Sequence, residues 1–127
     1  MSMAEDNTVI TSQRRFIRNL DDDNFYRYLE TSKGLCVVVF SSHGCASCRR
    51  WMELLREFLT LYDDVQVCAV DAQASMALTR AYEVFHLPSL FLFIDGQYHR
   101  ALQPHASIAS LRETIDQAML LHAEDEP

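Results

Sequence analysis

Three features predict an α/β fold in three layers, a central mixed β-sheet of four or five strands between layers of about four helices. Two short valine-rich runs, Leu35–Phe40 and Val65–Val70, flank a stretch from Cys45 to Tyr62 whose apolar residues recur at helical intervals. A third apolar run, Ser89–Ile94, meets Asp95-Gly96 and a further extended segment, which is the pattern of a hairpin. With 127 residues, 49% of them hydrophobic and 23% charged, the chain suits one domain with a real core. The expected division is a flexible N-terminal extension over residues 1–13, a domain over residues 14–122 and an acidic tail over residues 123–127.

Phe16–Leu20 reads as the first strand. Asp21-Asp22-Asp23-Asn24 then offers capping oxygens and negative charge to the start of a helix running through Thr31. Phe25, Tyr28 and Leu29 form its buried stripe, and Lys33-Gly34 ends it, glycine tolerating the left-handed conformation at a helix end. Leu35–Phe40 and Val65–Val70 are strands covered on both faces, the pattern of a parallel sheet, and Cys36 and Cys68 within them are core filler. Between them Cys48, Trp51, Met52, Leu55, Phe58, Leu59 and Tyr62 line one helix face, opposite Arg49, Glu53, Arg56, Glu57 and Thr60. Strand, helix and strand make a right-handed βαβ unit. A helix over Ser75–Val84 turns Leu78, Ala81 and Tyr82 inward. After Leu87-Pro88 come the hairpin strands Ser89–Ile94 and Gln97–Leu102, then a helix over Ser107–Leu121 that buries Ile108, Leu111, Ile115, Ala118 and Met119. His122–Pro127 reads as a frayed acidic end.

Composition narrows the function. The longest apolar run, Leu35–Phe40, is far short of the roughly 18 residues needed to cross a bilayer, so no membrane partner is expected. A formal charge of −7 argues against a nucleic-acid partner. Residues 1–8 include Glu5 and Asp6 and lack the basic region and apolar run of an export signal, so a cytoplasmic location is expected. There is no glycine-rich phosphate loop, and no cofactor is expected.

In a reducing compartment cysteines are more often reduced, metal-bound or catalytic than crosslinked. Cys45 and Cys48 stand in Cys45-Ala46-Ser47-Cys48, where a buried strand passes into a helix, at the carboxyl end of the strand. The amide donors and positive dipole end of the helix favour a thiolate at Cys45. Arg49 and Arg50 in the first turn oppose the helix dipole while favouring a nearby thiolate, two effects of opposite sign. Cys48, one turn on, is placed to resolve a mixed disulfide formed by Cys45. The same spacing supplies half of a zinc site, but there is no second such pair, only His43 and His86 as further ligands, and no metal is expected.

These motifs, in this order, resemble the thioredoxin family over about Phe16–Leu121. The anchors are Val37-Val38-Val39-Phe40 leading to Cys45-Ala46-Ser47-Cys48, Asp71 at the end of the next strand, and Leu87-Pro88-Ser89-Leu90-Phe91-Leu92-Phe93 followed by Asp95-Gly96. The resemblance implies a cis Pro88 beside the cysteines and a Leu87 backbone that pairs with an extended substrate peptide. It also marks departures. Gly44 stands in place of the usual tryptophan, Ala46-Ser47 in place of Gly-Pro, and Val39 and Val67 where a buried aspartate and its lysine partner are usual. Pro104, beside His105, replaces a glycine of the substrate groove. Without that carboxylate, His43 is the first candidate to stabilise or deprotonate a thiol, against its alternative as a solvated loop residue.

The function expected is a thiol-disulfide oxidoreductase reducing protein substrates. Cys45 is the nucleophile, Cys48 the resolving thiol, Leu87, Pro88, Gly44 and Pro104 the substrate contacts, and His43 and Arg49 the modulators. Its partners would be proteins with disulfides, or one dedicated client, and a recycling reductase. The alternative is an adaptor or assembly chaperone that keeps the fold and holds a client with little redox activity.

Overall fold

Side chains alternate across a strand, and along Leu35–Ser41 both faces are apolar, so this segment can be covered on both sides. The computed structural model describes residues 16–127. The extension expected over residues 1–13 lies outside them. In chain order the elements are β1 (Arg18–Leu20), α1 (Phe25–Thr31), β2 (Leu35–Ser41), α2 (Ala46–Leu61), β3 (Val65–Asp71), α3 (Met76–Ala81), β4 (Ser89–Ile94), β5 (Gln97–Leu102) and α4 (Ile108–Met119). The sheet order is β1-β3-β2-β4-β5. β1 and β2 run parallel to β3, while β4 runs antiparallel to both β2 and β5.

On one sheet face Val37, Val39, Val67, Leu90 and Leu92 pack with Trp51, Leu55 and Phe58 of α2 and Leu111 and Ile115 of α4. On the other, Cys36, Val38, Phe40, Cys68, Val70, Phe91 and Phe93 pack with Phe25 and Leu29 of α1, Leu78 of α3 and Tyr82. Three layers result from two-residue periodicity in the strands and helical periodicity around them.

The acidic run before α1 works differently from the sequence expectation. Asn24 occupies the N-cap of α1 without a side-chain cap bond. Asp21 instead folds onto its own loop, its Oδ1 accepting from the amides of Asp23 at 2.9 Å and Asn24 at 3.1 Å. Asp22 caps another helix: its carboxylate accepts from the amides of Ala77 at 3.3 Å and Leu78 at 3.0 Å, in the first turn of α3. The local cap residue Ser75 makes no such bond, and its hydroxyl is buried without a partner among the described residues. Asp22→Ala should therefore lower the unfolding free energy by about 1 kcal/mol, the usual value of a cap. A urea midpoint unchanged by that substitution would refute the role.

The third helix is shorter than expected, ending at Ala81 rather than Val84, with Glu83 at φ +52°. Tyr82 leaves the helix to pack edge-on against Phe25, ring centroids 5.6 Å apart, and lies 5.7 Å from Phe91. The C-terminal end is also not frayed. Glu124 donates its amide to the His99 carbonyl at 2.7 Å and receives Arg100 Nη2 at 2.7 Å, and Tyr82 donates its hydroxyl to Glu126.

Cys36 and Cys68 are free, fully buried thiols with sulfurs 3.6 Å apart. The hydrogen bond from Cys36 to Cys68, and then burial, push the Cys36 thiol well above its ordinary range. The folded chain thus keeps a proton that the unfolded chain loses near pH ~8.5. That contribution is intact below about pH 8.5 and is lost as pH rises through the folded value. Urea midpoints should fall between roughly pH 8.5 and 10, and Cys36→Ala should flatten that fall. An equally steep fall in the variant would contradict the assignment. Neither thiol should react with iodoacetamide before unfolding.

Candidate functional site

β2 carries the chain to the carboxyl edge of the sheet, where Cys45 stands at the N-cap of α2 in extended conformation. Its Sγ accepts the Cys48 amide at 3.2 Å, taking the place that a serine or aspartate oxygen usually fills. The N-terminal amides of a 16-residue helix are thereby aimed at this sulfur. Cys45 and Cys48 are joined as a disulfide with Cα atoms 5.1 Å apart. Cys45 is half-buried, whereas Cys48 is only 2% exposed. A visiting group can therefore meet the first sulfur and not the second.

The Leu87–Pro88 peptide bond is cis, and the Leu87 carbonyl oxygen lies 3.9 Å from Cys45 Sγ. Ser47 Oγ is 3.4 Å from the same sulfur. Two depressions are lined by residues of this region, one by Leu87 and Pro88 and the other by Cys48. One, of about 580 Å³, is lined by Trp51, Tyr82, Leu87, Pro88, Pro104 and Pro127, among others. The other, of about 540 Å³, is lined by Ser41, His43, Cys48, Arg49, Arg56 and Asp71, among others.

The residues singled out from the sequence thus fall into two groups. Leu87, Pro88 and Pro104 share one depression, and His43 and Arg49 share the other with Cys48. Gly44 is exposed, and a Cβ built on it meets no atom within 4 Å. The His43 side chain is 94% exposed, and its Nε2 lies 3.6 Å from Asp71 Oδ2. Arg49 reaches back to the His43 carbonyl at 3.5 Å. His43 is thus a loop residue paired with the end of β3. Val39 and Val67 are buried on the face that α2 covers, leaving hydrocarbon where a carboxylate and amine would otherwise sit.

Other residues at the site carried no readable sequence signal. Phe85 is 89% exposed, three residues before Pro88. Tyr82 and Pro127 line the Pro88 depression from distant parts of the chain. Tyr82 reads from its spacing as helix core, and Pro127 as an untethered end. Among the described residues no group of three or more His, Cys, Asp or Glu side chains is arranged to hold a metal ion. No helix among them is long and apolar enough to cross a membrane.

The family model for thioredoxin matches residues 16–117. No curated protein matches the chain by sequence. Among solved structures, the zinc-bound form of human ERp44 superposes with a TM-score of 0.71 at 21% identity, covering 80% of this chain and 31% of that one. Form I of human ERp44 gives a TM-score of 0.70 at 21% identity, covering 80% of this chain and 29% of that one. The chain therefore spans less than a third of either structure, and the likeness is one of fold.

Proposed function

Because the chain belongs to the thioredoxin family, we propose that it is a thiol-disulfide oxidoreductase that reduces protein disulfides with the Cys45/Cys48 pair. The observation that carries this reading is the asymmetry of the two sulfurs, the outer one capping a helix and half-open, the inner one closed behind it. In the reduced protein the Cys45 thiolate attacks one sulfur of a substrate disulfide. The substrate S–S bond breaks, its departing thiolate takes a proton, and Cys45 is left in a mixed disulfide. Cys48, deprotonated, then attacks the Cys45 sulfur. The mixed bond breaks, the second substrate thiol leaves, and both electrons of the dithiol now reside on the substrate. The oxidised pair is the product state of that half-reaction, and a dithiol reductase would return two electrons to it and restore the Cys45/Cys48 dithiol.

Leu87 and Pro88 supply the backbone edge and apolar surface for an extended substrate segment, with Pro104 forming the far wall. Gly44, exposed and without a side chain, adds no bulk before Cys45. With Val39 and Val67 buried on that face, the Cys48 proton leaves by the polar depression lined by Ser41, His43 and Asp71. Lacking an internal base, the resolving step should be slower than one served by a buried carboxylate. Cytoplasmic reducing conditions suit this direction of transfer.

Insulin reduction with dithiothreitol as electron donor tests the proposal. Precipitation of the insulin B chain should run well ahead of the dithiothreitol control, and a rate equal to that control would overturn the reading. In that event the exposed Phe85, three residues before Pro88 in the chain, favours the second reading, a module that holds a client without turning it over.

A further inference from the structure

Glu124 lies against the sheet edge, and three residues on Pro127 lines the Pro88 depression. The Glu124 amide donates to the His99 carbonyl at 2.7 Å, adding one rung to β5. Arg100 clasps the same segment twice, Nη2 to the Glu124 carboxylate at 2.7 Å and Nη1 to the His122 carbonyl at 3.3 Å. The Ala101 amide donates to the Glu124 carboxylate at 3.4 Å. Arg100 also holds the Glu124 carboxyl below its ordinary range. Two residues on, Glu126 accepts the Tyr82 hydroxyl, and Pro127 lines the depression together with Trp51, Leu87, Pro88 and Pro104. A main-chain rung, two carboxylate contacts on alternate residues and an apolar terminal ring are the features with which a groove reads an extended peptide.

We propose that the edge of β5 leading to the Pro88 depression is a binding site for an acidic extended peptide, occupied here by the chain's own residues 124–127 with Pro127 in the depression's wall, so that a protein disulfide must displace this segment to seat in the groove beside Cys45. The second half rests on the oxidoreductase reading above; the first does not. Tethering makes the tail a competitor at high effective concentration. A small disulfide that needs only the Cys45 sulfur has no reason to compete with it. The tail would therefore act as a filter, slowing large or weakly binding substrates and passing those whose own segments hold the groove better.

Trp51, the sole tryptophan of the chain, reports on the depression that it lines together with Pro127. The full chain is compared with a form ending at Ala123 and with Tyr82→Phe, which keeps the ring packing and removes only the hydroxyl. Truncation should shift Trp51 emission, and a synthetic peptide of residues 121–127 should reverse the shift saturably, while the same peptide with lysine for each acidic residue should not. Reduction of insulin should rise roughly three- to tenfold on truncation, as the competent fraction of open grooves rises, and less in Tyr82→Phe. Reduction of a small aromatic disulfide should stay unchanged. Unaltered Trp51 emission with no peptide binding would overturn the site. Peptide binding with unaltered insulin rates would overturn the filter and keep the site. Peptide binding in a protein that reduces neither substrate would keep the site and refute the oxidoreductase reading.

Discussion

Replacing Cys48 by serine should leave the protein covalently attached to whatever it reduces. Cys45 keeps its place at the N-cap of α2, with the amide of residue 48 still directed at its sulfur, so the attacking thiolate is formed as before. The mixed disulfide then lacks its internal resolver. In cell extract, a ladder of adducts that collapses under dithiothreitol is the expected result. In insulin reduction, Cys48→Ser and Cys45→Ser should each lose roughly two orders of magnitude or more in rate, since either removes a whole step rather than weakening one. Only the Cys48 variant should trap. Adducts formed equally by Cys45→Ser would place the nucleophile elsewhere. A free Cys48→Ser protein that still turns over would mean that resolution needs no inner thiol.

Replacing Gly96 by alanine should be among the most destabilising single changes available. Gly96 sits at φ +80° in the turn after β4, following Asp95 at φ +52°, so the turn has left-handed conformation at both positions, as a two-residue hairpin of this twist requires. Backbone conformation alone would cost alanine about 1 kcal/mol. Here a Cβ would also lie 2.1 Å from the Leu29 carbonyl oxygen, a contact with α1 that no side-chain rotation relieves. The hairpin must shift away from the helix, and a loss of roughly 3 kcal/mol, about 10 °C in melting temperature, is expected. Gly34 provides the control. Its φ is +76°, but a Cβ there meets nothing within 4 Å. Gly34→Ala should cost only the backbone share, about 1 kcal/mol. Equal melting temperatures for the two variants would show that the approach to Leu29 carries no weight.

How far each feature could be read in advance depends on the range of the force behind it. Valine-dense runs and helical spacing express local burial patterns, so β2, α2 and β3 are legible within a residue or two at each end. Asp95-Gly96 is legible as a turn because its backbone demand is met by those two residues alone. The Cys45-x-x-Cys48 pair is legible as chemistry because one helical turn brings both sulfurs to one face. Asp22 gave no such signal, since the amides it caps are 55 and 56 residues away. Tyr82 ended its helix early for the same reason, drawn into aromatic contacts with Phe25 of α1 and Phe91 of β4.

The sequence by itself determined the layers, the order of the elements and the place of the two sulfurs, because each rests on periodicity or on neighbours within a few residues. Tertiary structure alone decided the contacts made between distant segments: Leu87 at 3.9 Å from Cys45 Sγ, His43 turned toward Asp71, and a tail bound across β5 by Arg100 and Tyr82. Those contacts depend on the geometry of surfaces that exist only once the sheet has closed, and a linear pattern of polar and apolar residues does not encode which distant polar atoms will meet there.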